Sequence, residues 1–161
     1  MESRQSERGL ALLRIFSGIM ILRETFAHLA FSPWPWTTPQ WVLQHADLLA
    51  GHSLQHPMPL VRNMIRQIML PYAEACSGLG VIIGLVAGVS LCLGLFSVPG
   101  ALLGLGLAAL QGLLAYYKSD AALAAALTQT VLLAVLASTR SGRTWGLDAL
   151  LSRGRPRSWL Y

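Results

Sequence analysis

Apolar residues fill three long stretches in the second half of the chain, with only short polar turns between them. The stretches cover residues 71–95, 99–117 and 121–139, and Glu74 is the one charged residue inside them. A helix of about 18 or more apolar residues can cross a bilayer, so each stretch predicts a membrane-spanning helix. The turns are too short to cross a membrane, so consecutive spans are expected to run antiparallel.

A weaker apolar stretch covers residues 9–31. It contains four ionisable side chains: Arg14, Arg23, Glu24 and His28. The stretch is either a first membrane span or a secretory signal peptide. Both signs of charge precede it and no small-residue cleavage site follows it, which favours an uncleaved span. The pattern therefore predicts an all-α integral membrane protein, a four-transmembrane-helix bundle that forms a single membrane domain over residues 1–161.

Residues 32–70 form the one long connection between predicted spans. We expect a short helix over 41–50. Residues 60–70 place apolar and basic side chains on different faces of a helix, which predicts a second helix lying along the membrane surface. Tryptophan is enriched at membrane interfaces. The tryptophans that we expect to contact a partner subunit are Trp34, Trp36 and Trp41.

Positive charge is concentrated outside the spans. The net charge is +5, and arginines cluster near the N-terminus and in a basic tail over residues 140–161. Cytoplasmic segments of membrane proteins carry excess arginine and lysine, so both termini are expected on the cytoplasmic side of a bacterial-type inner membrane. Residues 32–70 are then extracytoplasmic. Placed in this way, the basic charge gives no support for nucleic acid as a partner.

Glycines recur at intervals of four in the second and third stretches. They are Gly80, Gly84 and Gly88, followed by Gly100 and Gly104. Small residues at this spacing let helix backbones approach closely. We expect them to pack helices within the bundle, with a homodimer seam as the alternative.

Six polar side chains fall inside the predicted spans. They are Arg23, Glu24, His28, Glu74, Gln111 and Gln129. Counting about 1.5 Å of rise per residue from the extracytoplasmic ends places all six in the outer half of the bundle. A charge near the bilayer centre costs about 2.5–3.5 kcal/mol, so it needs a partner or a role. Three interpretations stay open: contacts that lock the bundle, a pocket for a quinone headgroup or another small ligand, and contact with a partner subunit.

Histidines and cysteines do not form a convincing metal-ligand pattern. His52 and His56 have the i, i+4 spacing of a helical metal pair, but a glycine and a proline flank them and no cysteine joins them. Cys76 and Cys92 are about 24 Å apart along one predicted helix, which is too far for a disulfide. We predict no metal site, and no cofactor motif is evident.

Three segments carry a resemblance to a known family. Residues 12–22, which include Arg14, form the first, and Glu74 with the glycines that follow it up to Phe96 forms the second. The third is a closing motif of Gly142, Arg143, Thr144, Trp145, Gly146 and Asp148. In order and spacing these segments resemble the DoxX/DoxD-like family of four-span membrane proteins. The resemblance implies a four-helix membrane bundle and a redox role, since the family includes the small subunit of a thiosulfate:quinone oxidoreductase.

Two hypotheses for function follow. The first is an accessory or structural subunit of a larger respiratory, redox or other bioenergetic complex, because the chain is small and has no cofactor motif. The second is a component of a quinone-interacting oxidoreductase that uses the polar residues of the outer half. The partners expected are the lipid bilayer and other membrane subunits or a second copy of the chain. Whether the chain is itself an enzyme stays open.

Overall fold

The computed structural model of the protein describes residues 2–30, 39–115 and 117–139, without the side chains of 2–7, 28–30, 39–41 and 115. Every regular element in these ranges is a helix. The helices are α1 (Glu2–Ala30), α2 (Pro39–Gln55), α3 (Pro59–Met64), a π-helical turn (Ile65–Met69), α4 (Ala73–Leu93), α5 (Ser97–Ala115) and α6 (Asp120–Thr139).

The last three helices are confirmed as long and apolar enough to cross a membrane, over Ala73–Leu93, Ser97–Leu114 and Asp120–Thr139. They identify the chain as a multi-pass membrane protein. Helix α1 is long enough to cross a membrane, but the described part of the chain does not qualify it as apolar enough. The charges of Arg14, Arg23 and Glu24 fall inside its apolar part. The predicted four-span bundle is therefore confirmed only for its three C-terminal spans.

Four helices form a closed bundle. Helix α1 packs along α4, α4 packs on α5, α5 packs on α6, and α6 returns to α1. The order follows the chain because the turns between α4, α5 and α6 are short. The buried apolar core comprises Ile21, Leu91, Ala101, Ala108, Leu133 and Leu136.

Close approach of α1 and α4 depends on glycine. A side chain at Gly84 would overlap Thr25, and a side chain at Gly88 would lie 2.6 Å from Leu22. Gly18 of α1 contributes from the other side, because a Cβ there would lie 2.9 Å from the Gly88 carbonyl oxygen. These positions let the two backbones pack at short range.

The remaining predicted packing glycines have different surroundings. Gly100 lies against Ser90, and Gly104 lies against Ile21 and Leu133. A Cβ added at Gly80 would meet no atom within 4 Å, because Gly80 borders a cavity. Gly80 therefore provides open space in the bundle where the other four provide close contact.

The turn between α4 and α5 comes earlier than the sequence pattern predicts. We expected the turn at residues 96–98 and the third span to begin at Pro99, but α5 begins at Ser97. Gly94 adopts the left-handed conformation with φ 63°, which ends α4 there. Pro99 then lies in the first helical turn, where its missing N–H has no intrahelical partner to lose.

Residues 39–72 of the connection between α1 and α4 are mostly helical and lie against the end of the bundle where α4 begins and α5 ends. We call this end the covered end. Helix α2 is longer than the predicted 41–50 and packs on α4, on α3 and on the π-helical turn. In the predicted amphipathic segment, Val61 and Ile65 are buried while Arg66 is exposed, as the periodicity predicts, but Ile68 is exposed.

Candidate ligand cavity

A partly open cavity of about 200 Å³ lies among the bundle helices near the covered end. All four bundle helices contribute side chains to its wall, and α2 and the π-helical turn contribute His45, Leu49 and Met69. Most of the wall is apolar. Its polar lining residues include Glu24, Thr25, His45, Ser77, Gln111 and Gln129.

The two hydroxyl groups in the wall use their protons within their own helices. Thr25 donates to the carbonyl oxygen of Ile21 at 2.8 Å, and Ser77 donates to that of Ala73 at 2.6 Å. Hydroxyl groups bonded in this way can still accept a hydrogen bond, but they offer no further donor. Donors for a ligand in this cavity must therefore come from other lining residues, such as the two glutamine amides or Glu24 when it is protonated.

Gln129 on α6 supplies such a donor. Its Nε2 atom is buried and has no hydrogen-bond partner among the described residues. Leaving a buried polar group unpaired costs about 1–3 kcal/mol, so native structures rarely keep one without a reason. Because Nε2 exposes almost no surface, a ligand oxygen or a water molecule in the cavity would satisfy this N–H group only after the amide of Gln129 rotates toward it.

Glu24 brings a carboxyl group to the same cavity from α1. The side chain of Glu24 is exposed. A carboxyl group can accept hydrogen bonds when ionised, donate one when protonated, and exchange a proton with a ligand. Together with Gln111 and Gln129, it gives the cavity a donor, an acceptor and a proton carrier.

Three of the six polar residues predicted from the sequence line this cavity: Glu24, Gln111 and Gln129. Arg23 and Glu74 do not line it. Exposure does not separate the two groups, because Glu24 is exposed like Arg23 and Glu74, whereas Gln111 and Gln129 are partly buried. The side chain of His28 lies outside the described residues.

Sequence reasoning missed Thr25, Ser77 and His45 as lining residues. Thr25 and Ser77 gave a usable signal, since each lies within three residues of a predicted polar site. His45 gave none, because its position depends on how α2 packs across the bundle. The sequence pattern had assigned it to a polar connection.

The remaining predicted sites are distributed as follows. Trp34 and Trp36 lie outside the described residues, as does the side chain of Trp41. The closing motif Gly142, Arg143, Thr144, Trp145, Gly146 and Asp148 also lies outside them. Arg14 is described and is 0% exposed. It is close enough to Cys92 for its charge to act on the thiol, which places it toward the opposite end of the bundle from the covered end.

The predicted histidine pair contacts the end of α5. His56 is 1% exposed, and its Nε2 lies 2.9 Å from the carbonyl oxygen of Leu113. His52 Nδ1 lies 3.2 Å from the hydroxyl group of Tyr117. Burial and the charge of Lys118 hold the pKa of His52 below its ordinary value of 6.5. No group of three or more potential metal ligands occurs in the part of the chain that the structure describes.

Comparison with protein-family models, with curated proteins and with solved structures gives no match for this chain. The chemistry of the cavity is then the guide to function. Its apolar wall and few converging polar groups are typical of a site for a small, largely apolar ligand with a polar headgroup.

Proposed function

We propose that this chain is a four-span membrane protein that binds the headgroup of a quinone in the cavity at its covered end. The observation that carries the proposal is the convergence of Glu24, Gln111 and Gln129, from three different helices, on one cavity with an unpartnered Gln129 Nε2. An engineered apolar cavity of about 150 Å³ can hold benzene. A cavity of about 200 Å³ is therefore large enough for a single substituted ring.

The surface of α1 supports its role as the fourth span. Leu12, Phe16, Ile19 and Phe26 are each more than half exposed, as expected for side chains that face lipid. Arg14, in contrast, is fully buried and turned away from lipid. At about 1.5 Å of rise per residue, the 29 residues of α1 exceed the roughly 30 Å thickness of the hydrocarbon core.

The orientation that we propose follows from charge. The arginines of the tail after α6 and those near the N-terminus favour cytoplasmic termini in a bacterial-type inner membrane. The covered end and its cavity then face the extracytoplasmic side. The DoxX/DoxD-like resemblance directs the choice of ligand toward a quinone among small carbonyl compounds.

Each of the three polar side chains Glu24, Gln111 and Gln129 has a role in quinone binding in this proposal. The Gln129 Nε2–H group donates to one quinone carbonyl, and the Gln111 amide is available to the ligand from α5. Reduction of a quinone to a quinol takes up two electrons and two protons. Glu24 exchanges protons with the bound ring, and the electrons come from a redox partner in the same complex.

Quinone binding by the purified protein in lipid nanodiscs tests the proposal. Titration with a short-chain quinone should show saturable binding to wild type, weakened about tenfold or more in Gln129→Leu because a hydrogen bond to a buried partner is lost. Thr128→Val is the matched control, since Thr128 is the preceding residue of α6 and is exposed. Equal affinities in wild type and Gln129→Leu, or no saturable binding, would refute the proposal.

A second proposal is an accessory role in a larger respiratory or redox complex. It is favoured by α6, because only 11% of the apolar membrane-spanning part of this helix is buried within the chain. The exposed surface of α6 would contact another subunit in such a complex, whereas in an isolated chain it would contact lipid. Gentle extraction from native membranes followed by native mass spectrometry distinguishes them: a stoichiometric partner supports the accessory role, and a lone chain or a homodimer contradicts it.

A further inference from the structure

Helix α2 closes part of the cavity without being a bundle helix. His45 and Leu49 of α2 and Met69 of the π-helical turn stand in the wall beside side chains of the four bundle helices. A segment that closes a cavity and belongs to a connection can move without unpacking the bundle. The contacts that hold α2 on the bundle therefore fix the position of this part of the wall.

His56 provides one fastening, and its tautomer follows from its contacts. The backbone N–H of Met58 donates to His56 Nδ1 at 3.2 Å, so Nδ1 carries no proton. The ring proton is then on Nε2, which donates to the carbonyl oxygen of Leu113 at 2.9 Å. Arg62 Nη2 donates to the carbonyl oxygen of His56 at 3.2 Å and holds the same turn in place. The neutral form of His56 fits both ring contacts.

His52 and Tyr117 provide the second fastening. The Tyr117 hydroxyl group lies 3.2 Å from His52 Nδ1. The Tyr117 ring stands edge-on to both histidines, with centroid distances of 5.9 Å to His52 and 5.2 Å to His56. Leu114, the residue after the acceptor Leu113, lines the cavity. The fastening and the cavity thus share the last turn of α5.

We propose that α2 is a cover over the cavity and that His52 and His56, with Tyr117 and the Leu113 carbonyl, form a latch that protonation of the histidines releases. The cover rests on the proposed function for its biological role, because it controls when a ligand enters. With the covered end extracytoplasmic, the latch responds to the acidity of that compartment.

The physical reason is a clash of donors and of charge. A proton added to His56 occupies Nδ1 and faces the N–H of Met58, so that hydrogen bond is lost. Among the residues that the structure describes, the charged and titratable groups against the two histidines include each other, Arg62, Tyr117 and Lys118. Two of these, Arg62 and Lys118, are already positive, so each added proton meets repulsion. Burial and the charge of Lys118 lower the pKa of His52 and outweigh a backbone hydrogen bond with Leu114 that raises it, which agrees with a neutral His52 in the closed latch near pH 7.

The chain contains its own reporter of an open cover. Cys76 lines the cavity, whereas Cys92 lies toward the far end of α4, where it contacts the Ile15 carbonyl oxygen. In a Cys92→Ser background, the rate at which a small maleimide alkylates Cys76 measures access to the cavity. Dividing by the rate for the same protein unfolded in detergent removes the dependence of thiol reactivity on pH.

The latch variants are compared at one neutral pH. Tyr117→Phe removes one hydroxyl contact and keeps the ring, and His56→Ala removes two hydrogen bonds. Each should raise the corrected labelling rate, by about threefold or more for His56→Ala. Gln55→Ala is the matched control, because Gln55 is exposed on the last turn of α2, and it should leave the rate unchanged. If His56→Ala unfolds the protein, Tyr117→Phe alone decides.

The pH test uses wild type and the double variant His52→Gln/His56→Gln. The corrected rate for wild type should rise as the pH falls from about 7.5 to about 5.5, and the rate for the double variant should not change with pH. A pH-independent wild-type rate, or a Tyr117→Phe rate equal to that of wild type, would overturn the latch. Quinone titration tests the ligand independently of the latch. If labelling depends on pH but no quinone binds, only the proposed ligand is refuted. If quinone binds but labelling does not depend on pH, only the latch is refuted.

Discussion

Replacing Gln129 with leucine should stabilise the ligand-free protein while it removes ligand binding. The Gln129 Nε2 atom is buried without a partner among the described residues, and leucine has similar size and no polar atom to desolvate. An unsatisfied buried group costs about 1–3 kcal/mol, so Gln129→Leu should raise the free energy of unfolding by about 1 kcal/mol or more. For a chain of this length, that change corresponds to a rise in Tm of roughly 2–4 °C.

The assay is unfolding in mixed micelles with a titrated denaturing detergent, without and with a short-chain quinone. Added quinone should stabilise wild type in proportion to the occupancy of the site and should leave Gln129→Leu almost unchanged. At high quinone concentration, wild type should therefore become more stable than Gln129→Leu. A ligand-free Gln129→Leu that is clearly less stable than wild type would show that Nε2 is satisfied in the native protein, and it would refute the reasoning.

Three further predictions concern packing, cavity volume and pH. Gly84→Leu should destabilise the protein by about 1–3 kcal/mol because the new side chain overlaps Thr25, whereas Gly106→Leu, which meets nothing within 4 Å, should be nearly neutral in the same assay. Gly80→Leu should fold with wild-type stability but lose quinone binding in a titration, because the side chain fills the cavity; normal binding would contradict the placement of the site. The pKa of His52 is lower in the folded chain than its unfolded value of 6.5, so the unfolded chain binds more protons below that value. Stability should accordingly fall as the pH drops through 6.5, and His52→Gln should reduce that slope in unfolding measured across the range.

The apolar pattern predicted the three C-terminal spans well because length and composition alone decide whether a helix can cross a membrane. The same criteria do not decide α1, where packing buries the charge of Arg14 and leaves Arg23 and Glu24 exposed. Arg14 is fully buried in the bundle, and this burial cannot be predicted from the residues next to it in the sequence. A buried arginine becomes evident only when the partner helices are in place.

The sequence predicted the depth of the cavity along the helices, but it did not predict which polar side chains face the cavity. Counting rise along each span places Glu24, Gln111 and Gln129 at similar depth, and they share a cavity. Arg23 and Glu74 lie at comparable depth but do not line it. Whether a residue faces the interior depends on the rotation of its helix, which is set by long-range contacts.

The latch could not be predicted from the sequence for a related reason. The i, i+4 spacing of His52 and His56 suits metal ligands but does not by itself predict a metal site, and their partners are a tyrosine and a backbone carbonyl about sixty residues away in sequence. A backbone carbonyl near the end of a helix leaves no signal in the sequence, since any residue supplies one. Only the docking of α2 on the end of α5 brings the groups together.

Photolabelling with an azido-quinone in native membranes tests the central claim most directly. After illumination and digestion, mass spectrometry should locate the label on the α1, α5 and α6 peptides that contain Glu24, Gln111 and Gln129, and excess unmodified quinone should prevent it. Label confined to lipid-facing residues such as Phe16 and Val131, or label that excess quinone does not displace, would contradict the account.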